Sequence, residues 1–390
     1  MDVLYLSSLC SLREYERMFN KYGSTSSHAS QKFHRLFVQG LVENGCHVDA
    51  LTQRILLNAG EDDLVRPDEV EDQVHYSYLP RCAHRSANRL TVICRTAARV
   101  LRWNREHPGG VIFCDVILGE LSLGLCIASR LARLKTVAIV TDVPSIRAGE
   151  RRRGLRAIPF KIKNAAIQAY SAYVFLTRQM NRALNPRGKP YVVVEGLADR
   201  AVLDEPNTLE HKFPEKVCMM AGLLEEIYGV DILLNAFRRV ELPEARLWFY
   251  GRGSAVEAIR EASRRDSRIS YRGELANQEI VRLEKKAALL VNPRPPEGEW
   301  TAYSFPSKNM EYMASGTPLM AYDLPCIPEE YRPYFFEIKG DLHQVLSQLL
   351  SQDRRDLHLF GLEAQRWITA NKNPKKQTEK VKKLMEQLER

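Results

Sequence analysis

No apolar run in the 390 residues approaches the ~18–20 that a helix needs to cross a bilayer, which excludes a helical integral membrane protein. The opening Met1-Asp2-Val3-Leu4-Tyr5-Leu6 has no basic region and reads as a first strand instead of a signal peptide. The cysteines, at 10, 46, 82, 94, 114, 126, 218 and 326, form no C-x-x-C pair and have no histidine at metal-ligand spacing. That scatter excludes a disulfide framework and a zinc site, and predicts free thiols in a reducing cytoplasm. There is no internal repeat and no low-complexity tract. What is present is 45% hydrophobic and 27% charged residues, the make-up of a globular protein, at a length that predicts two domains.

Acidic residues are scarce in one region. Residues 147–200 hold twelve Lys/Arg against Glu150, Glu195 and Asp199, an excess equal to the net charge of the whole chain, +9. Its densest part carries Arg147, Arg151, Arg152, Arg153, Arg156, Lys161 and Lys163 with Glu150 alone opposing them, interleaved with Leu155, Ala157, Ile158, Phe160 and Ile162. A basic stretch with an apolar stripe suits the surface of an anionic membrane, so peripheral contact at the cytoplasmic face is the expectation. Seven cations also suit nucleic acid, but no zinc finger, RNP or helix-turn-helix signature accompanies them, and no nucleic-acid partner is expected. A solvated loop and helix face is the plainer alternative.

Strand and helix patterns alternate along the chain, predicting α/β layers with mostly parallel sheets. Short β-like runs fall at 2–6, 47–51, 74–78, 111–115, 136–141, 173–176 and 191–194, with amphipathic segments at 30–43, 88–105 and 121–134. Residues 196–214 are polar and lack periodicity, as a connection between domains does. The pattern then restarts with 217–221 and Gly222, a helix near 230–239, and 246–250 followed by Gly251-Arg252-Gly253; a strand at 288–292 comes later. The expected division is 1–195, a linker at 196–214, a second domain at 215–352, and C-terminal helices at 353–390 packing back toward the first domain.

The segment Tyr303-Ser304-Phe305-Pro306-Ser307-Lys308-Asn309-Met310-Glu311 leads into Gly316-Thr317-Pro318. Pro306 suits a first helical position and Gly316 a helix stop. On that helix Lys308 and Glu311, three apart, share one face. A helix N-terminus offers unpaired N–H groups to phosphate, so Lys308 can meet a diphosphate and Glu311 the ribose hydroxyls of a sugar nucleotide. A solvent-exposed ion pair is the plainer reading. Position favours the site: in doubly wound sheets ligands bind at the C-terminal ends of strands, where Gly222 and Gly251–Gly253 also fall.

Together, Met219–Leu224, Tyr228–Phe237, Trp248–Gly253 and Ser304–Pro318 resemble the nucleotide-sugar half of retaining family 4 glycosyltransferases. Ile139–Pro144 and His34–Leu41 resemble the acceptor domain of bacterial polysaccharide-building members. The resemblance implies the GT-B fold, two Rossmann-like doubly wound domains facing each other across a cleft. It also implies transfer of a sugar from a UDP- or GDP-sugar to a glycan or polyprenyl-linked acceptor, with retained configuration and no metal or other cofactor. Glu311 matches the second glutamate of the family's E-x7-E motif, which binds ribose, and Phe305 the aromatic between the two. Backbone N–H groups of Ser307 and Lys308 would meet the diphosphate, and Gly222, Gly251, Gly253, Tyr303 and Ser304 would line the donor site. Asp142 falls where many relatives carry a histidine that touches the reacting sugar; a turn residue before Pro144 is the alternative.

Three positions depart from the family. Tyr303 stands where the first glutamate falls, and Leu223 and Tyr228 stand where an arginine and a lysine clamp the donor diphosphate. Lys308, Arg294 and Arg252 are the cations that can replace the clamp, Lys308 chief among them, which makes Lys308 and Asp142 the expected catalytic residues. A degenerate binding or scaffold subunit, and a GT-B sugar-nucleotide epimerase, remain as alternatives.

Overall fold

The computed structural model describes residues 1–22, 28–55, 64–82, 84–143 and 165–389. The chain divides into two compact units, Met1–Leu197 with Pro374–Arg390, and Ala198–Asn373.

The first unit is built on a sheet of β1 (Asp2–Ser7), β2 (His47–Thr52), β3 (Glu69–Glu71), β4 (Val74–Tyr78), β5 (Val111–Asp115), β6 (Lys135–Val140), β7 (Ala172–Phe175) and β8 (Tyr191–Val193). Its order is β3-β4-β2-β1-β5-β6-β7-β8, parallel throughout except for the β3–β4 pair. Runs such as Val111-Ile112-Phe113-Cys114 and Val137-Ala138-Ile139-Val140 are buried along their whole length, as strands covered by helices on both faces must be. The final helix, Pro374–Glu389, completes this core by inserting Val381, Leu384 and Met385. It lies close against the helix His28–Glu43: a Cβ at Gly40 would sit 2.4 Å from the Pro374 carbonyl oxygen. The Asn44 amide donates to the Lys375 carbonyl at 2.8 Å.

The second unit carries six parallel strands, β9 (Lys216–Leu223), β10 (Ala245–Arg252), β11 (Ile269–Tyr271), β12 (Leu289–Asn292), β13 (Leu319–Ala321) and β14 (Phe336–Glu337), in the order β11-β10-β9-β12-β13-β14. The winding reverses between β9 and β12. These two strands pair only through Leu289–Cys218 and Leu290–Met219, while β9 runs on to Leu223 alongside β10. A crevice therefore opens between their C-terminal ends, the place where open α/β sheets bind ligands.

Two stretches differ from expectation. Residues 198–214 belong to the second unit and form short 3-10 turns at Arg200–Asp204 and Leu209–His211. The C-terminal tail is two helices: Arg354–Asn371 stays with the second unit and Pro374–Glu389 joins the first. The break has a local cause, since proline lacks the N–H that continues a helix but is at ease as the first residue of a new one. Among the described residues no helix is long and apolar enough to cross a membrane.

Candidate functional site

The helix Ser307–Ser315 begins at the mouth of the β9/β12 crevice, and its own residues fasten it there. The Tyr312 hydroxyl accepts from the Ala221 amide (2.8 Å) and donates to the Ala221 carbonyl (3.2 Å), tying the helix to β9. Asn292, at the end of β12, donates its amide to Asn309 Oδ1 at 2.6 Å. Gly316 closes the helix in a left-handed conformation, and the Gln365 amide satisfies the Ala314 carbonyl at 2.7 Å. Pro306 is the N-cap, one residue before the position expected for it; no side chain caps this end. The first N–H groups of such a helix have no acceptor within it.

Lys308 crosses from this N-terminus to the turn after β9. Its Nζ donates to the Leu223 carbonyl at 2.9 Å, and its chain lies over Gly222, where a Cβ would sit 3.0 Å from Lys308 Cε. The neighbouring strand makes the same demand: Gly251 pairs with Gly222 in register, and a Cβ there would lie 1.9 Å from the Gly222 oxygen. These glycines thus let two strand ends and a lysine stem share one small space. Burial pushes the Lys308 ammonium down to about 8, against the opposing pull of Glu311 and Glu284. A cation desolvated in this way gains from an arriving anion what it has lost from water.

One turn along the helix, Glu311 is half-buried and its Oε2 accepts from the Asn277 amide at 3.1 Å. Asn277 opens the helix Asn277–Lys286, so the contact ties the β11–helix connection to the carboxylate expected to hold ribose.

On the β12 side stands Arg294, 4% exposed. Its guanidinium lies 4.0 Å over the Trp300 ring, Trp300 meets Tyr228 edge to face at 6.1 Å, and Tyr228 lies under Lys308 Nζ at 5.8 Å. Burial lowers the Arg294 pKa, offset in part by Cys326 and Tyr228. Its Nε and Nη2 have no hydrogen-bond partner among the described residues.

The other expected donor residues divide by exposure. Tyr303 and Ser304 are half-buried; the Tyr303 amide closes the 3-10 turn Glu299–Ala302 by donating to the Trp300 carbonyl. Phe305 is buried against Tyr331 at 5.6 Å and serves the core. Ser307 is exposed at the helix start, and Gly253 lies beyond β10. Arg252 projects into solvent with Glu274 at 3.8 Å.

Asp142 belongs to the first unit, just past the C-terminal end of β6, where its Oδ1 accepts from the Val143 amide at 2.8 Å. The basic residues Arg147, Arg151, Arg152, Arg153, Arg156, Lys161 and Lys163 lie outside the described residues. At the ends of β1 and β5, His34 is fully buried between the Tyr5 hydroxyl (Nδ1, 2.6 Å) and Asp115 (Nε2, 3.2 Å). Sequence reasoning did not single out this triad, nor Asn277, Trp300 or Tyr228 in their observed roles. Apart from Arg294, six positions from Trp300, their partners lie 29 to 81 positions away, beyond the reach of any local spacing rule.

Residues 215–352, which carry all of the second unit's sheet and the helix of Lys308, match the family model described as Glycosyl transferases group 1. No curated protein sequence matches the chain. Among solved structures it is similar to sucrose-phosphate synthase from Thermosynechococcus elongatus, with a TM-score of 0.68 at 13% identity over 100% of this chain and 99% of that one. A glycosyltransferase from Rickettsia africae gives 0.67 at 11% identity over 99% and 98%, and HepE from Anabaena gives 0.63 at 13% over 99% and 100%. The fold is GT-B, with two Rossmann-like units, and residues 215–352 match a group 1 glycosyltransferase domain.

Proposed function

We propose that the second unit binds a nucleotide diphosphate sugar, UDP- or GDP-linked, and passes the sugar to an acceptor hydroxyl. The observation that carries this reading is the placement of Lys308 across the Gly222 turn at an uncapped helix N-terminus, with Glu311 one turn further on. A diphosphate laid there meets an ammonium and free N–H groups together, while the ribose diol meets the carboxylate of Glu311. The structures of HepE, one with UDP and glucose and another with UDP-glucose, support a donor of this class.

The difficult event is departure of the diphosphate, as the bond from the anomeric carbon to its oxygen breaks and positive charge grows on the sugar. Lys308 and the helix N-terminus stabilise the negative charge gathering on the leaving group, the kind of preorganised electrostatics that dominates many enzymes. The acceptor oxygen then bonds to the anomeric carbon and gives up its proton, with Asp142 as the group that orients or deprotonates it. Retention of configuration and operation without a metal follow the family resemblance. The acceptor we propose is a growing glycan, free or polyprenyl-linked, in polysaccharide or glycoconjugate assembly. The basic stretch 147–163 would bring the chain to the anionic cytoplasmic face of the membrane.

Nucleotide release, followed with a panel of UDP- and GDP-sugars and a lipid-linked acceptor, tests the reaction. Lys308→Ala and Glu311→Ala are each expected to lower turnover at least about tenfold, a loss of ~1.4 kcal/mol or more of transition-state stabilisation. Binding without release in the wild type would instead support a non-catalytic subunit, and sugar interconversion without acceptor an epimerase. Co-sedimentation with anionic liposomes at low salt tests the membrane reading; protein remaining in the supernatant would refute it.

A further inference from the structure

Arg294 has a chemistry that the diphosphate does not use. If Glu311 marks the ribose and Lys308 the diphosphate, the donor runs toward the N-terminus of Ser307–Ser315, and its sugar lies beyond it. The side chains met in that direction are Tyr228, 5.8 Å from Lys308 Nζ, then Trp300, then Arg294 behind the indole at 4.0 Å. Arg294 thus stands two aromatic rings away from the cation that faces the diphosphate, on the β12 side of the crevice.

We infer that Arg294 reads a carboxylate on the transferred sugar, making the donor a nucleotide-linked uronic acid; this rests on the donor-site reading above. Nε and Nη2 form one side of the guanidinium, a two-nitrogen fork whose spacing matches the two oxygens of a carboxylate. Both atoms are buried, and neither has a partner among the described residues. Glu297 and Glu299, in the same loop, are exposed and bond neither nitrogen. A guanidinium keeps its charge when buried; the Trp300 ring meets it on one face, and an anion at the Nε/Nη2 edge would offset the desolvation that remains. A sugar hydroxyl does not balance that charge. Pro293, Pro295 and Pro296 flank the arginine and restrict its backbone, which holds the fork in place. Trp300 stacks on the face of the guanidinium, so a ligand that reaches Arg294 changes the surroundings of the indole and with them its fluorescence.

The test compares donors that differ only at C6. Affinities of UDP-glucuronate and UDP-glucose, and of GDP-mannuronate and GDP-mannose, are measured by calorimetry on the full chain, with Trp300 fluorescence as a second signal. The wild type is expected to bind a uronate at least tenfold more tightly than its neutral counterpart. Arg294→Gln is expected to erase that preference, and Arg294→Lys, which keeps charge but loses the fork, to retain only part of it. UDP without a sugar should bind wild type and Arg294→Gln alike, and a thermal melt confirms that the variants are folded. Equal binding of uronate and neutral donors by the wild type overturns the inference. So does an equal loss of UDP and UDP-glucuronate in Arg294→Gln, which would move Arg294 to the diphosphate. If UDP and GDP fail to bind at all, or Lys308→Ala leaves their affinity unchanged, it is the donor-site reading itself that fails.

Discussion

Lys308 is the residue on which the proposed donor site turns, and its ionisation gives the sharpest handle on it. With its pKa pushed down to about 8 by burial, the ammonium proposed to meet the diphosphate is present below that pH and is lost as pH rises through it. Affinity for UDP-glucose, whose diphosphate does not titrate in this range, should be flat near pH 7 and weaken by up to about tenfold per unit above pH 8. Lys308→Arg should remove the inflection, because a guanidinium stays charged; an unchanged inflection would assign it to another group. Arg294 makes the opposite kind of case, a buried cation set against the Trp300 ring with two of its nitrogens lacking a hydrogen-bond partner among the described residues. Arg294→Met is therefore expected to raise stability, by ~1–3 kcal/mol in a denaturant titration. A fall of similar size would mean that the guanidinium is already paired. That Lys308 and Glu311 share one helix could be read from the sequence, because they lie within one turn. Asn277, 34 residues away from Glu311, could not, since only the fold brings it there.

At the scale of elements, the helix Ser307–Ser315 works because two neighbouring strands hold it. Tyr312→Phe removes the hydroxyl that serves both the amide and the carbonyl of Ala221. It should cost ~1–3 kcal/mol by leaving a buried donor unpaired, and weaken nucleotide binding without altering any group that touches the nucleotide. Gly222→Ala should also weaken binding, because its methyl meets Lys308 Cε in a backbone conformation with φ +101° that side chains avoid. Nucleotide titration of both variants checks the pair; unchanged affinity in Gly222→Ala would remove Lys308 from the turn. Sequence periodicity found β1, β2, β4, β5, β6, β7, β9, β10 and β12, each a strand of four or more residues with a clear apolar run, and also the shorter β8, Tyr191–Val193. It missed β3, β11, β13 and β14, of two or three residues each, which are too short to establish a period. The glycine turns were legible for a physical reason: close approach of β9 and β10 admits no side chain.

For the molecule as a whole, two Rossmann-like units were foreseen from the restart of the strand–helix alternation after residue 215. The distribution of the tail was foreseen only in part, since nothing local shows that Arg354–Asn371 and Pro374–Glu389 serve different cores. Deleting 374–390 strips Val381, Leu384 and Met385 from the core of the first unit, at ~1.5–3 kcal/mol for each buried side chain. Calorimetry should show that unit melting earlier or failing to fold; an unchanged thermogram would show the helix to be dispensable. The central claim, that the second unit holds a nucleotide diphosphate between Lys308 and the helix it belongs to, is tested most directly by a crystal structure with UDP bound. The account predicts the diphosphate within hydrogen-bond reach of Lys308 Nζ and the N–H groups of Ser307 and Lys308, with the ribose hydroxyls on Glu311. A nucleotide bound elsewhere, with Lys308 still donating to the Leu223 carbonyl, would contradict it.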